Sequence, residues 1–350
     1  MKCRAGKKHY IVSSAAMEKK ISILMPVKNA MPYLSECLTS IIHQTYTNWE
    51  LIAVNDHSSD DSHATLLQFA DGDERIKVLN NEGAGIIDAL RLAYNYSNGD
   101  LITRMDADDT MAKHKLAVLQ EALIHKGNRH IAIGKVQYFS DDDLGEGYKK
   151  YEDWLNSLTE RGDNFKDIYK ECVIPSPCWM VHREDLDQCG GFDHDTYPED
   201  YDLCFRFHEQ DLTCIPSDEV LHFWRDHASR SSRVSEHYAD NRFLELKCRY
   251  FLKLHHQPNR PLVLWGAGKK GKRIAQFLID HNIHFHWLCN NSNKIGKDIY
   301  GITLASTELW HQLHTPQIII AVANPKEQNE LHEQLQLQQL QSIEDYFFFC

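Results

Sequence analysis

The stretch "GDLITRMDADDT", residues 99–110, sets Asp106, Asp108 and Asp109 within four positions, directly after the apolar run Leu101-Ile102-Thr103. Carboxylates this close repel one another unless solvent or a cation relieves them. Two of them one residue apart can share a hard divalent ion. Mg2+ and Mn2+ prefer oxygen ligands and commonly take one or two protein carboxylates plus the phosphate oxygens of a substrate. Such an ion also neutralises charge that develops on a departing diphosphate. The alternative is a solvated acidic turn or a cluster at a helix start, where Asp is favoured. What the neighbouring elements do with the cluster decides between the two.

Those elements alternate. "ISILMPV" (21–27) is a continuous apolar run, the pattern of a strand buried on both faces, and "MPYLSECLTSIIHQ" follows with helical spacing at Leu34, Leu38 and Ile41. "ELIAVND" reads as a second strand, "HATLLQFA" as a helix, "RIKVLN" as a third strand, "GIIDALRLAYNY" as a helix and "DLITRMD" as a fourth strand. Regular alternation of this kind predicts a parallel sheet with helices on both faces, whose ligands gather beyond the carboxyl ends of the strands. The polar residues at those ends, Lys28-Asn29, Asn55-Asp56, Asn80-Asn81 and Asp106-Asp108, are therefore expected in one crevice.

Composition bounds the rest. A chain of 350 residues with 42% hydrophobic residues can bury two cores. No run approaches the ~20 apolar residues of a membrane span, and the basic start "MKCRAGKKHYIVSSAAMEKK" lacks the apolar centre of a secretory signal. The ten cysteines form no CxxC pair, so reduced thiols and a cytoplasmic location are expected, peripheral at the inner face of a membrane at most. A net charge of −12 speaks against a general nucleic-acid binder. Residues 1–20 read as a disordered extension, with Met17 as an alternative start.

Four ordered segments resemble glycosyltransferase family 2. "ISILMPVKNAMPYLSECLTSIIHQTYTNWELIAVNDHSSDDS" is similar to the family's opening, a strand ending in Pro-x-x-Asn (Pro26, Asn29) and a second ending in an Asp-rich turn. "GAGIIDALRLAYNYSNGDLITRMDADD" is similar to its approach to the DXD motif, "GGFDHDTYPEDYDLCFRF" to its Glu-Asp region and "FWRDHASRSSR" to its closing Arg-x-His segment. The resemblance implies an α/β fold of GT-A type, a Rossmann-like, mainly parallel sheet that binds a nucleotide diphospho-sugar, UDP-linked by family frequency. Carried onto this sequence, it implies that Asp56 accepts hydrogen bonds from the nucleoside, that Asp106 holds ribose or metal and that Asp108 ligates Mn2+ or Mg2+. Pro26, Asn29, Arg104 and Arg225 complete the donor site in this reading, and His227 completes the metal shell. Asn55 stands where an Asp is frequent in the family. Family members invert the anomeric centre by a single displacement. The resemblance implies Asp200 as the base, with Glu199 beside it on an acceptor hydroxyl. Plain structural roles remain open for each: a turn former at Asp56, a surface ion pair at Arg104, a surface histidine at His227 and a helix start at Pro198-Glu199-Asp200. For Trp154, Trp179 and Trp224, core packing is the simpler expectation.

The expected family domain runs over 21–235, a helical connector over 236–259 and a smaller C-terminal Rossmann-like α/β domain over 260–350. The last opens with a strand and "WGAGKKGKR", which carries the GxGxxG spacing at Gly266, Gly268 and Gly271. A P-loop is excluded because Arg273 stands where Ser or Thr would hold magnesium. At the next strand end, Asn290 and Asn291 occupy the place of the ribose-binding acid of a dinucleotide site. Docking, a homo-oligomer contact or acceptor positioning is the expected use of this domain. The chain therefore reads as a metal-dependent hexosyl- or N-acetylhexosaminyl-transferase of cell-surface polysaccharide synthesis, acting on a saccharide or lipid-linked acceptor. Two rivals remain: a non-catalytic nucleotide-sugar sensor, and an oxidoreductase acting through the C-terminal domain.

Overall fold

The computed structural model describes residues 18–140, 144–228, 230 and 242–350. Most of the N-terminal extension, Arg233 and the first part of the connector lie outside the described residues. Residues 18–20 are already tied to the sheet: Leu101 N–H donates to the Lys20 carbonyl (3.1 Å) and the Tyr46 hydroxyl to that of Lys19 (2.7 Å).

The four expected strands are β1 (Ile21–Val27), β2 (Trp49–Asn55), β3 (Ile76–Asn80) and β4 (Leu101–Arg104), with α1 (Leu34–Ile42), α2 (Ser62–Gly72) and α3 (Ile86–Asn95) between them. They lie parallel in the order β3-β2-β1-β4. Alternate residues of β1 and β2 enter different cores. Leu24, Ile52 and Val54 pack under α3 with Ala89 and Leu90, whereas Ile23, Met25, Leu51 and Ala53 pack under α1 with Leu34 and Leu38. Burial on both faces is why these strands are apolar throughout.

Beyond β4 the sheet departs from all-parallel. β5 (Thr110–Met111), α4 (Lys115–Lys126), β6 (His130–Ile133), β7 (Lys135–Phe139), α5 (Glu146–Arg161), β8 (Trp179–His182), α6 (Arg183–Gln188), α7 (Glu199–Glu209), β9 (Thr213–Ile215) and β10 (Val220–Arg225) follow. β8 inserts antiparallel between β4 and β6, and β9 closes the edge beside β6. A separate small sheet, β5-β10-β7, covers the turn that carries the aspartates. The chain crosses from β1 to β2 on one side and reaches β4 on the other, so β1/β4 is the point where strand order reverses and a crevice opens. β1–β4 pairing ends at Leu24 and Arg104, two residues before Pro26, whose ring could not donate to the ladder.

The connector helix Arg242–Leu254 ends before the expected limit of 259, in a turn at His255 and His256 ahead of Pro258. The C-terminal sheet is fully parallel, in the order Ala305–Ser306, His286–Cys289, Leu262–Trp265, Gln317–Ile320, Tyr346–Phe348. Its glycine turn is explained by packing. Gly266 has φ +121° and a Cβ there would sit 2.7 Å from the Ala321 carbonyl oxygen, while a Cβ on Gly271 would sit 2.1 Å from that of Gly266. The glutamine-rich "LHEQLQLQQLQ" (331–341) has the spacing of an amphipathic helix with Leu331 and Leu335 inward, and the helix Pro325–Leu337, capped by Asn324, buries both. Both sheets share one apolar cluster: Tyr169 stacks on Phe349 at 5.0 Å and meets Phe347 edge-on at 5.6 Å.

Candidate active site

The four strand ends do converge. Asp56, just past β2, accepts from Asn81 Nδ2 (2.7 Å), Gly85 N–H (3.0 Å) and Lys28 Nζ (3.1 Å). Burial raises its pKa, but the bonds from Asn81, Gly85 and Lys28 outweigh that and hold the carboxylate below its usual range. Gly85 sits at φ +89°, a conformation that suits glycine and aims its N–H at Asp56. Asn29, also at positive φ (49°), accepts from Ser59 N–H at 2.7 Å and so knits the ends of β1 and β2. Asn81 and Gly85 are contributors that sequence reasoning missed as a holder pair. The polar end of β3 was the available signal.

The three clustered aspartates separate. Asp106 is partly exposed and accepts from Arg104 (Nε 3.1 Å, Nη2 3.0 Å). Asp108 faces His227, whose Nε2 lies 2.9 Å from Oδ2. Burial raises the Asp108 pKa, yet the His227 bond and the Arg230 charge bring it below the usual range. Asp109 turns inward and is 1% exposed, with Oδ1 on the Arg225 backbone N–H (2.7 Å) and Oδ2 beside His222 Nε2 (2.9 Å). The acidic run therefore presents two carboxylates to the crevice and commits the third to the interior. Among the described residues, no group of three or more His, Cys, Asp or Glu is arranged around a common metal position.

Arg104 ties the aspartates to the second acidic pair. Its Nη1 donates to Glu199 Oε1 at 2.9 Å, with both side chains 6% exposed. The surface ion pair left open for Arg104 is thus replaced by a buried bridge from the end of β4 to the start of α7. The other Glu199 oxygen, Oε2, is buried without a hydrogen-bond partner. Such an atom normally finds a donor. Asp200 is half-buried beside it. Burial first, then the Glu199 charge, push its carboxyl up to about 7 against the pull of Arg104.

Packing holds α7 firmly from behind. Asp202 accepts from Arg206 Nε (2.8 Å) and the Tyr250 hydroxyl (2.7 Å), and Phe205 stacks on Tyr250 at 4.4 Å. Arg225, expected at phosphate, donates Nε to the Asp108 carbonyl (2.9 Å), pairs with Glu36 through Nη2 and lies between the rings of Tyr33 (4.6 Å) and Phe139 (4.4 Å). In this arrangement it braces the aspartate turn against α1. His227 also packs on Tyr33, with ring centroids 4.8 Å apart. Trp179 and Trp224 are buried, and Trp154 is partly buried with Nε1 on Asp167 (3.0 Å).

Known proteins share part of this sequence and its fold. Residues 22–190 match the profile of Glycosyl transferase family 2. The chain is 35% identical over 125 residues to the UDP-Glc:alpha-D-GlcNAc-diphosphoundecaprenol beta-1,3-glucosyltransferase WfgD of Escherichia coli, covering 35% of this chain and 48% of that protein. It is 32% identical over 139 residues to the glycosyltransferase GlyA of Streptococcus pneumoniae, covering 38% of this chain and 20% of the relative. The chain thus spans less than half the length of either. In fold it resembles S. aureus TarS 1–349 solved with UDP-GlcNAc, at a TM-score of 0.50 and 15% identity over 75% of this chain and 72% of the other. Residues 22–190 thus match glycosyltransferase family 2, and the strand-end crevice, the DXD turn after β4 and the mainly parallel sheet give the chain the GT-A type of fold.

Proposed function

We propose that the chain transfers a sugar, with inversion, from a nucleotide diphospho-sugar to a hydroxyl of a saccharide or lipid-linked acceptor. The observation that carries this reading is the buried Arg104 bridge, which joins Asp106 on the crevice floor to Glu199 at the start of α7. It supports a site in which the charge of Asp106 adjoins the acidic start of α7, Glu199 and Asp200.

Asp56, oriented by Asn81 and Gly85, accepts hydrogen bonds from the nucleoside, with Pro26 and Asn29 forming the adjoining wall. Asp108 and His227 suit a hard divalent ion, since two adjacent ligands of an octahedral ion bound at ~2.1 Å stand roughly 3 Å apart and His227 Nε2 and Asp108 Oδ2 are 2.9 Å apart; Asp106 stays the candidate for ribose or the same ion. Bound there, Mn2+ or Mg2+ would neutralise the diphosphate as it departs. Asp200 takes the acceptor hydroxyl proton while that oxygen bonds to the anomeric carbon, and the bond to the diphosphate oxygen breaks with its electron pair. A base that titrates near neutrality combines availability with driving force, which suits a carboxyl held at about 7. The unpartnered Glu199 Oε2 accepts from a hydroxyl of acceptor or donor.

The activity named for WfgD supports a UDP-sugar and a lipid-linked acceptor, hence a hexosyl- or N-acetylhexosaminyl-transferase of surface polysaccharide synthesis working beside a membrane. Among the described residues no helix is long and apolar enough to cross one. The domain limits of 21–235, 236–259 and 260–350 belong to the same proposal, with the last unit docking on acceptor or on a second copy. A melting screen of nucleotide sugars with and without Mn2+ tests it. A fitting donor at 100 times its Kd stabilises by ~2.7 kcal/mol. If no nucleotide sugar raises the melting temperature and none is consumed with any glycan acceptor, the proposal fails.

A further inference from the structure

Behind the aspartate turn lies a chain of buried polar side chains that the transfer chemistry does not use. Lys115, at the start of α4, and His222, in the middle of β10, are both 0% exposed, and Asp109 is 1% exposed. Lys115 Nζ donates to the Pro177 carbonyl at 2.5 Å and lies 3.3 Å from His222 Nδ1. His222 Nε2 in turn lies 2.9 Å from Asp109 Oδ2. β10 pairs His222 with Met111 and Phe223 with Thr110, so the histidine meets the chain just as it leaves the aspartates.

The donors and acceptors order themselves in one way. An ammonium only donates, so Nδ1 accepts from Lys115 and the ring proton sits on Nε2, where it points at Asp109. Asp109 is then an acceptor at both oxygens, from His222 and from the Arg225 backbone N–H. Burial and the negative Asp108 and Asp106 penalise its charge. The Lys115 ammonium stands one imidazole away, on the far side of His222. A neutral histidine fits the same place, since burial and Lys115 hold it well below its ordinary pKa.

We propose that Lys115 and His222 are positioning residues for metal-dependent donor binding. By pinning Asp109 inward, they keep it from competing for the ion and set the turn so that Asp106 and Asp108 face the crevice. This rests on the transferase reading above. Groups that orient ligands from behind typically cost 10–100-fold in metal affinity when removed.

The test measures Mn2+ affinity of the protein–UDP complex by electron paramagnetic resonance, UDP affinity without metal by calorimetry, and melting temperature. His222→Phe and Lys115→Met should weaken Mn2+ by about 10–100-fold and leave metal-free UDP binding within about threefold. His222→Gln, which can still accept from Lys115 and donate to Asp109, should stay within about threefold of wild type for both. Folded His222→Phe and Lys115→Met variants that melt lower but bind Mn2+ like wild type would show a merely structural role and overturn the proposal. Should both fail to fold, His222→Gln is compared with the shorter His222→Asn, and equal Mn2+ affinity for the two overturns it as well. Wild-type protein that binds no Mn2+ with UDP overturns the transferase reading itself, an outcome distinct from binding that the variants leave intact.

Discussion

Asp200→Asn should make the protein more stable while removing its activity. The substitution keeps the side-chain shape, and its carbonyl oxygen can still accept from Tyr201 N–H, as Asp200 Oδ1 does at 2.8 Å. What it removes is a carboxyl pushed from 3.8 to about 7 by burial and by Glu199. At ~1.4 kcal/mol per tenfold, that displacement corresponds to ~4 kcal/mol, an upper figure because the group is half-buried and solvent relieves part of it. The sign follows from proton counting. Below about pH 4 the carboxyl is protonated in both states and contributes nothing. Between about pH 4 and 7 the unfolded chain has released the proton and the native state has not, so native stability falls as pH rises, and above about 7 the loss is complete. An Asn carries no such loss. The variant should therefore gain over wild type by ~2 kcal/mol between pH 5 and pH 8, read from urea unfolding curves at several pH values. On the same protein, transfer should fall by ~10²–10⁴-fold with donor affinity retained, and wild-type kcat/KM should drop about tenfold per pH unit below about 7. A variant less stable than wild type at pH 8, or a stability difference flat in pH, would refute the electrostatic account. Transfer within a few-fold of wild type would move the base to Glu199, since Asp202 is committed to Arg206 and Tyr250.

Three further outcomes are expected. Asp108→Asn should weaken Mn2+-dependent UDP affinity by at least about tenfold in calorimetry and leave metal-free binding unchanged; equal Mn2+ dependence would remove Asp108 from the metal site. Asp56→Ala should lower nucleotide affinity by about 10-fold without altering Mn2+ affinity, because it frees Asn81 and Gly85 from the carboxylate they orient. Glu50 is buried at the start of β2, where its bonds to Asn98 N–H, Lys20, Ser22 and Lys77 outweigh burial and lower its carboxyl to about 2. That is worth ~3 kcal/mol, fully present above about pH 4.5 and lost as pH falls toward 2. Glu50→Gln should thus cost stability at pH 7, about half as much near pH 3 and little at pH 2 in denaturant titrations.

Much of the site could be read from local pattern. The runs 21–27, 49–55 and 101–104 are apolar because each is buried on both faces, and 76–80 is a short run at the sheet edge, so their ends and the polar residues following them were legible one segment at a time. Burial of Leu331 and Leu335 in the C-terminal helix was legible for the same reason, a fixed helical period. The antiparallel insertion of β8 was not, because a short apolar strand carries no mark of its partner or direction.

The sequence by itself determined the fold class, the family resemblance and the expected convergence of Asp56, Asp106 and Asp108 at strand ends, since the parallel polarity of the first four strands follows from regular alternation. Only the tertiary structure decided which of three near-identical aspartates faces inward. Asp106, Asp108 and Asp109 have the same chemistry in a string, and what separates them is the approach of β10, more than a hundred residues later, with His222 and the Arg225 N–H. The same holds for Arg104, which looks like a surface cation until α7 folds across it and buries it against Glu199. Pairings between distant segments set the charge state and orientation of these groups. They depend on burial and on long-range contacts, which no spacing rule encodes.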